Sequence, residues 1–532
     1  MNDGGPVDAA AGNLPRSIPH VVVAAAHRSS DRIAVVDGTR RVSYGALAQE
    51  MFRAAAAFSA AGLQKGERVA IWAPNGLEWI VAALGVQIAG GCIVPLNTRF
   101  KGAEVQHVLH CSRARFLVMV ERFLGTDYPQ LLKGFDLPYV QHTILLPTAE
   151  SPGSWTEFLA TADDRLCTRA REQLEGLSGN EVSDIMFTSG TTGSPKGVMT
   201  THAQNVRVYA TWSRMNTLCE QDRYLIVYPF FHCSGYKAGW LACFLSGATA
   251  HPLPALDVGT LAATVKAERI TFLPGPPTLF QTLLSTPAAE RPDLSSIRVA
   301  QTGATTVPPA IIGRMRSELG IQAVMTGYGL TETCGTVTLT APTDGPDVVA
   351  RYCGRAIDGV EICCVDDSNR PVPPGETGEV LVRGYNVMLG YFEDEAATAR
   401  TIDAEGWLHT GDIGYLSESG YLRLTDRKTD LFIVGGFNCY PAEIEKIMCG
   451  NPAYAQVAVV GVPDERLGEV GLAYVVPHRD ATVTPEGVIA WCREAMANYK
   501  VPRHVRVVTE LPTNSLGKVL KYTLREMAKV PG

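Results

Sequence analysis

The 532-residue chain has no C-x-x-C pair among its thirteen cysteines, and the two nearest, Cys363 and Cys364, are adjacent. That spacing suits neither a zinc site nor a small disulfide framework, so a reducing, cytoplasmic setting is expected. An excess of positive charge is missing too: 47 lysines and arginines stand against 54 acidic residues, a formal net charge of −7. A broad nucleic-acid surface is therefore excluded, and any anion must be held locally. The N-terminal "MNDGGPVDAAAGNLPRS" lacks the apolar core of a signal peptide, and the longest apolar stretch, near Trp79 to Pro95, is interrupted by Gln87 and glycines. No transmembrane segment is expected. Internal repeats are absent, as are low-complexity tracts beyond one alanine run.

What is present is apolar bulk: 46% of the residues are hydrophobic and 19% charged. The length exceeds the roughly 250 to 300 residues of a single core, so at least two lobes are expected. An alanine-rich helical pattern over Ser43 to Leu63 leads to the strand-like "RVAIWAP". Leu77, Ile80, Val81, Leu84 and Ile88 then fall at helical spacing before "CIVPLN". This is a βαβ unit.

The alternation continues through "DIMFTSG", "RYLIVYPF", "ITFLPGPP", "IRVAQTGA" and "QAVMTGYG", with helical patterns at Val258 to Arg269 and Pro308 to Gly320. Ligands of such α/β sheets gather at the carboxyl ends of strands, and these strands end in Gly, Pro or hydroxyl residues. After about residue 370 the chain reads as short strands and turns, "PVPPGETGEVLVRG" and "GYLSESGYLRL", a small barrel-like layer. A compact α+β tail follows, with strands near Val457 to Val462, Leu472 to Val476 and His504 to Thr509. Its helices are expected near Pro485 to Tyr499 and Val519 to Met527. The expected division is a large lobe over 1–426 and a small mobile lobe over 427–532, with the boundary near 426–430.

Residues 187–197, "FTSGTTGSPKG", combine bare backbone with one cation. They fail as a Walker A loop, which needs Gly before the lysine and Ser or Thr after it, where this chain has Pro195 and Gly197. The physics of a phosphate cradle survives. Ser189, Thr191 and Thr192 bring hydroxyls, Gly190 and Gly193 bring exposed N–H groups, and Lys196 brings charge. On this stretch alone, a plain Gly/Ser turn after a strand stays open.

The loop resembles the signature of the adenylate-forming superfamily, which comprises acyl-CoA synthetases, peptide-synthetase adenylation domains and luciferases. Four further stretches follow in that family's order: "GYGLTE" at 327–332, "TGD" at 410–412, "DRKTDLFIVGGFNCYPAEIE" at 426–445 and "PTNSLGK" at 512–518. The resemblance implies ATP, Mg2+ and coenzyme A as reactants and cofactor, and a small-molecule carboxylic acid as substrate. It implies an acid–thiol ligase that forms an acyl-adenylate and then a thioester. A separate carrier protein as acceptor and a homodimer stay open as partners.

The same resemblance assigns the residues. Thr188 and the loop up to Gly193, with Lys196, would hold phosphates; Gly303, Ala304 and Thr305 of "TGATTVPP", with Tyr328 and Gly329, would line the adenine side. Glu332 would be the Mg2+ ligand and Thr331 a phosphate contact. Asp412 and Arg427 would meet the ribose or phosphate, although an Asp in a turn is more often a cap. Lys518, by position a solvated surface lysine, would cross from the small lobe to the α-phosphate. In "YPFFHCSGYKAGW", Phe231, His232 and Tyr236, with Gly303 and Leu330, would form the acyl pocket, His232 positioning the carboxylate; a satisfied core histidine is the alternative. Gly435, Gly436 and Phe437 would line the pantetheine tunnel. Thr429 stands at the hinge where the family usually has Asp or Lys. The stretches "PFFHCSGYKAG", "LPGPPTLFQTLL" and "DLSSIR" are similar to actinobacterial ligases of steroid-ring-derived acids, with fatty or aryl acids close behind.

Overall fold

The computed structural model describes residues 14–189, 195–303, 309–366, 368–427, 432–439, 441–479, 481–512, 519 and 521–529. The alanine-rich helix runs from Tyr44 to Ala60, and the Ser43 side chain caps it by accepting from the Ala46 N–H at 3.2 Å. Ala54 to Ala57 are wholly buried. They let the helix Leu77–Ile88 approach so closely that a Cβ on Gly85 would lie 2.6 Å from the Ala54 Cβ. Every residue of that second helix except the half-buried Glu78 is buried. Apart from Glu78 and the hydrogen-bonded Gln87 it is apolar on every side because it is sandwiched in the core, and among the described residues no helix is long and apolar enough to cross a membrane.

Two seven-stranded sheets form the large lobe. In one, His142–Leu146, Phe116–Val120, Arg68–Trp72, Cys92–Pro95 and Val182–Ser189 lie side by side and parallel. Pro195–Thr201 and then Gly390–Tyr391 extend it antiparallel. In the other, Ala323–Met325, Val299–Gln301, Phe272–Pro274, Arg223–Ile226, Thr249–Pro252 and Ile33–Asp37 are parallel, with Arg40–Ser43 antiparallel at the edge.

An antiparallel layer of Val360–Val365, Gly378–Gly384, Leu408–Leu416 and Leu422–Arg427 comes next. The last sheet holds Phe437–Cys439, Phe432–Val434, Gly468–Pro477 and Tyr454–Asp464, with His504–Val507 beside Gly468–Pro477. It has its own core, built around Phe432, Val459, Val475 and Met496. The α/β architecture with a smaller C-terminal domain is the expected one. One helix is shorter than its pattern: Pro485–Ala495 stops before Tyr499 because Met496 turns extended, with φ −147° and ψ 165°.

Candidate active site

The strands flanking the phosphate loop pair Thr188 with Lys196. Gly190, Thr191, Thr192 and Gly193 lie outside the described residues, as does the Ser189 side chain. The Lys196 ammonium sits 4.9 Å from the centre of the Tyr391 ring. Tyr391 in turn donates its phenol proton to Glu332 Oε1 at 2.9 Å. Tyr391 belongs to no motif singled out above. It arrives because Gly390–Tyr391 pairs with the loop strand, Val198 facing Tyr391. The expected phosphate cation and the expected metal ligand are thus brought together on one aromatic residue.

Glu332 sits in a single helical turn, Thr331–Thr333. The turn ends at Gly335, whose φ of +92° suits glycine, and a Cβ there would stand 2.6 Å from Tyr209 Oη and 2.7 Å from the Cys233 Cβ. The missing side chain lets the "TE" turn rest on the segment that carries His232. Tyr209 locks the contact by donating to the Cys334 carbonyl at 2.8 Å. Leu330 and Thr331 are half-buried on this turn and Gly329 is exposed; Phe231, next to His232 in the chain, is half-buried. A Cβ on Gly303 would lie 3.4 Å from the Gly327 carbonyl oxygen, which puts Gly303 beside Tyr328. Ala304 and Thr305 lie outside the described residues.

His232 is exposed, so it is not a core histidine. Its Nδ1 accepts from the Ser234 backbone N–H at 3.2 Å. A backbone N–H can only donate, so in the neutral ring Nε2 carries the proton. Desolvation by the surrounding protein pushes its pKa down to about 4, although the ring still opens onto solvent. The open face limits that effect while water fills the cleft; both descriptions agree on a neutral imidazole at pH 7.

Tyr236 does not line the pocket. It is fully buried, stacked on Trp240 with ring centres 4.9 Å apart, and its hydroxyl lies 3.1 Å from Gln87 Nε2 and 3.4 Å from Asp184 Oδ2. Its phenol needs buried partners, and these lie beneath the segment rather than in front of it. Beside it is a pair the sequence reading missed: Lys237 Nζ lies 2.9 Å from Asp184 Oδ1, both side chains wholly buried. Thr200, Ser183 and Asn205 complete the network around the carboxylate. Burial opposes the charge on Lys237, but Asp184, with Cys233 and Cys334, together outweigh it and hold the ammonium above the ordinary lysine range. The pair ties the histidine segment to both phosphate-loop strands. Its one signal in the sequence is a lysine inside the apolar run "YKAGWLACFL".

On the far side, Tyr328 donates to Asp412 Oδ2 at 2.6 Å. The Asp412 strand is in register with Arg427, whose side chain is not among those described. Thr429 and Lys518 also lie outside the described residues. Gly435 and Gly436, at φ +55° and +86°, form the two-residue turn of the hairpin that pairs Val434 with Phe437. A Cβ on Gly436 would come to 3.4 Å from the Pro276 Cβ of the large lobe. Phe437 packs between Arg99, 4.4 Å from its ring centre, and Tyr499, 4.6 Å away.

Among the described residues no three His, Cys, Asp or Glu side chains cluster to hold a metal. One carboxylate, Glu332, and the Thr331 hydroxyl are hard oxygen donors. They fit a magnesium ion that takes most of its ligands from phosphates and water, and do not fit a protein-caged metal.

Comparison with known proteins agrees with this geometry. Residues 22–392 match the model of the AMP-binding enzyme family and residues 443–518 that of the AMP-binding enzyme C-terminal domain. The chain is 46% identical over 525 residues to the 3-[(3aS,4S,7aS)-7a-methyl-1,5-dioxo-octahydro-1H-inden-4-yl]propanoyl:CoA ligase of Rhodococcus jostii (strain RHA1), covering 97% of this chain and 99% of that protein. The protein of the same name from Mycobacterium tuberculosis (strain ATCC 25618 / H37Rv) is 44% identical, over 96% of this chain and 99% of its own. Among solved structures, a double mutant of o-succinylbenzoate CoA synthetase from Bacillus subtilis, bound with its product analogue OSB-NCoA, superposes with a TM-score of 0.80. Its identity is 28%, over 95% of this chain and 98% of that one. The chain belongs to the AMP-binding enzyme family.

Proposed function

We propose that this chain is an ATP-dependent acyl-CoA synthetase for a bulky, polycyclic carboxylic acid of steroid-ring type. A carboxylate oxygen attacks the α-phosphorus of ATP, the bond to the departing pyrophosphate breaks, and an acyl-adenylate remains. The sulfur of coenzyme A then attacks the acyl carbon, its proton passes to solvent, and the bond to the phosphate oxygen breaks. AMP leaves and the thioester is formed.

One observation carries the reading: Lys196 and Glu332 meet on Tyr391, and Gly335 seats the Glu332 turn on the His232 segment. A triphosphate and an acid are thereby given adjoining places. Thr188, Lys196 and the loop between them hold phosphates, and Tyr328 and Gly303 flank the adenine. Asp412 and Arg427 hold the ribose, and Lys518 reaches the α-phosphate. Thr331 contacts phosphate and Glu332 holds Mg2+, which when bound neutralises phosphate charge. His232 donates from Nε2 to the substrate carboxylate, which is already ionised at pH 7, so no base is required. The small lobe turns about a pivot at Thr429 between the steps, and Gly435, Gly436 and Phe437 then line the thiol's path. The enzyme works in a reducing cytoplasm, where its thirteen cysteines stay thiols.

Its relationship to two ligases of an indenyl-propanoate favours the polycyclic acid, and its likeness to a CoA synthetase bound with its product analogue favours CoA as acceptor. The test is a panel of bicyclic propanoates, fatty acids and aryl acids with ATP and either CoA or a holo-carrier protein. Acyl-CoA formed fastest from the bicyclic acids is expected. Acyl transfer to the carrier alone would overturn the acceptor, and faster turnover of fatty or aryl acids would overturn the substrate class.

A further inference from the structure

Three charged side chains meet where the two lobes touch. Lys500 of the small lobe places Nζ 2.7 Å from Glu443 Oε1 of its own lobe and 2.7 Å from Glu104 Oε1 of the large lobe. Their side chains are 2%, 6% and 9% exposed, so water is nearly excluded from the contact. Burial opposes the ammonium charge, yet Tyr499, Glu443 and Glu104 outweigh it and hold the Lys500 pKa well above the ordinary lysine value.

The cluster is asymmetric between lobes. Lys500 and Glu443 travel together and stay paired wherever the small lobe goes. Glu104 is fixed in the first turn of the large-lobe helix Gly102–Ser112, where its other oxygen accepts from the Lys101 N–H at 2.9 Å. Within this cluster it is the Lys500–Glu104 bond that lobe movement makes and breaks, and in a nearly dry contact such a charge-assisted bond is strong. Around it, Asn97 Nδ2 donates to Tyr499 Oη at 3.2 Å, and the Phe100 ring centre lies 4.8 Å from Lys500 Nζ. The docked face also carries Phe437 and, through the glycine turn, the Gly436 contact with Pro276 at the carboxyl end of Phe272–Pro274.

Resting on the two-step reading above, we propose that Lys500 and Glu104 are positioning residues for the second half-reaction, clamping the small lobe so that the Gly435–Gly436 turn stays on the thiol's path. The first half-reaction, which needs Lys518 rather than the glycine turn at the phosphates, does not use this clamp.

Glu104→Gln tests the clamp. It keeps the side-chain shape and the oxygen that caps the helix, leaves Lys500 with Glu443, and removes one charge. Two rates are read on the full chain: acid-dependent pyrophosphate–ATP exchange, and thioester formation from supplied acyl-AMP and CoA. The expected result is unchanged or faster exchange with thioester formation slowed roughly tenfold. Loss of both rates together, or no change in either, would overturn the clamp. Glu104→Asp, one methylene short but still charged, should recover part of the second rate; recovery no better than Gln would also count against it. A wild-type chain that shows neither rate would instead sink the ligase reading itself.

Discussion

The Tyr328 phenol donates a 2.6 Å hydrogen bond to Asp412 Oδ2, joining residues 84 apart in the chain. Asp412 is only 1% exposed, so Tyr328 fixes the carboxylate that the proposed function aims at the ribose. A hydrogen bond to a charged group contributes about 1.5 to 3 kcal/mol. Tyr328→Phe keeps the aromatic face and removes that bond. The KM for ATP should rise roughly tenfold with a smaller change in kcat; steady-state kinetics with ATP varied check this, and an unchanged KM would contradict it.

Tyr391 should matter through Glu332. Tyr391→Phe leaves a ring for Lys196 but takes one hydrogen-bond donor from the Glu332 carboxylate. Pyrophosphate exchange should fall roughly threefold to tenfold at limiting Mg2+ and recover when Mg2+ is in excess. A titration of exchange rate against Mg2+ measures it, and a loss that excess Mg2+ does not repair would place the residue elsewhere.

The buried Asp184–Lys237 pair should behave as a unit. Lys237→Met strands a carboxylate in the core, and breaking such a pair costs about 3 to 5 kcal/mol. Adding Asp184→Asn removes the stranded charge and should restore most of that loss. Denaturant midpoints of the two variants against the parent decide it; a double variant no more stable than Lys237→Met would contradict the pairing.

Acid should loosen the large lobe through His202. This residue is 1% exposed, starts the helix His202–Met215, and its Nδ1 accepts from the Ile18 N–H at 3.4 Å. Desolvation lowers its pKa from 6.5 to about 4, with Asp184, Glu181 and His20 as the charged groups facing it. Between those values the unfolded chain binds the proton and the folded chain does not. Stability is therefore complete above pH 6.5 and falls toward pH 4, by up to about 3 kcal/mol. His202→Gln, which does not titrate, should flatten the slope of stability against pH in that window.

How far the sequence foretold this molecule depends on the kind of signal. The two core helices and the parallel strands were legible because burial on one or both faces writes a 3.6-residue or continuous apolar pattern, as at Leu77 to Ile88. Gly435 and Gly436 were legible too, and both sit at positive φ, whereas Gly335 belonged to no motif and only its close approach to Tyr209 and Cys233 reveals it. Tyr236 was misplaced because an aromatic in an apolar run reads alike whether it faces a pocket or the core. Only the Gln87 and Asp184 contacts reveal which. Tyr391, Lys237, Glu104 and Lys500 were invisible as site residues for a shared reason. Their partners lie 59, 53, 396 and 396 residues away, and no local pattern records a contact between distant strands or between lobes.

The most direct test of the account is exchange of labelled pyrophosphate into ATP with CoA left out. A bicyclic propanoate should drive exchange in the parent enzyme, and Lys518→Ala should cut it by roughly 10² to 10³. Folded enzyme that exchanges no label with any acid of a broad panel would contradict adenylate formation, and with it the reading of the site.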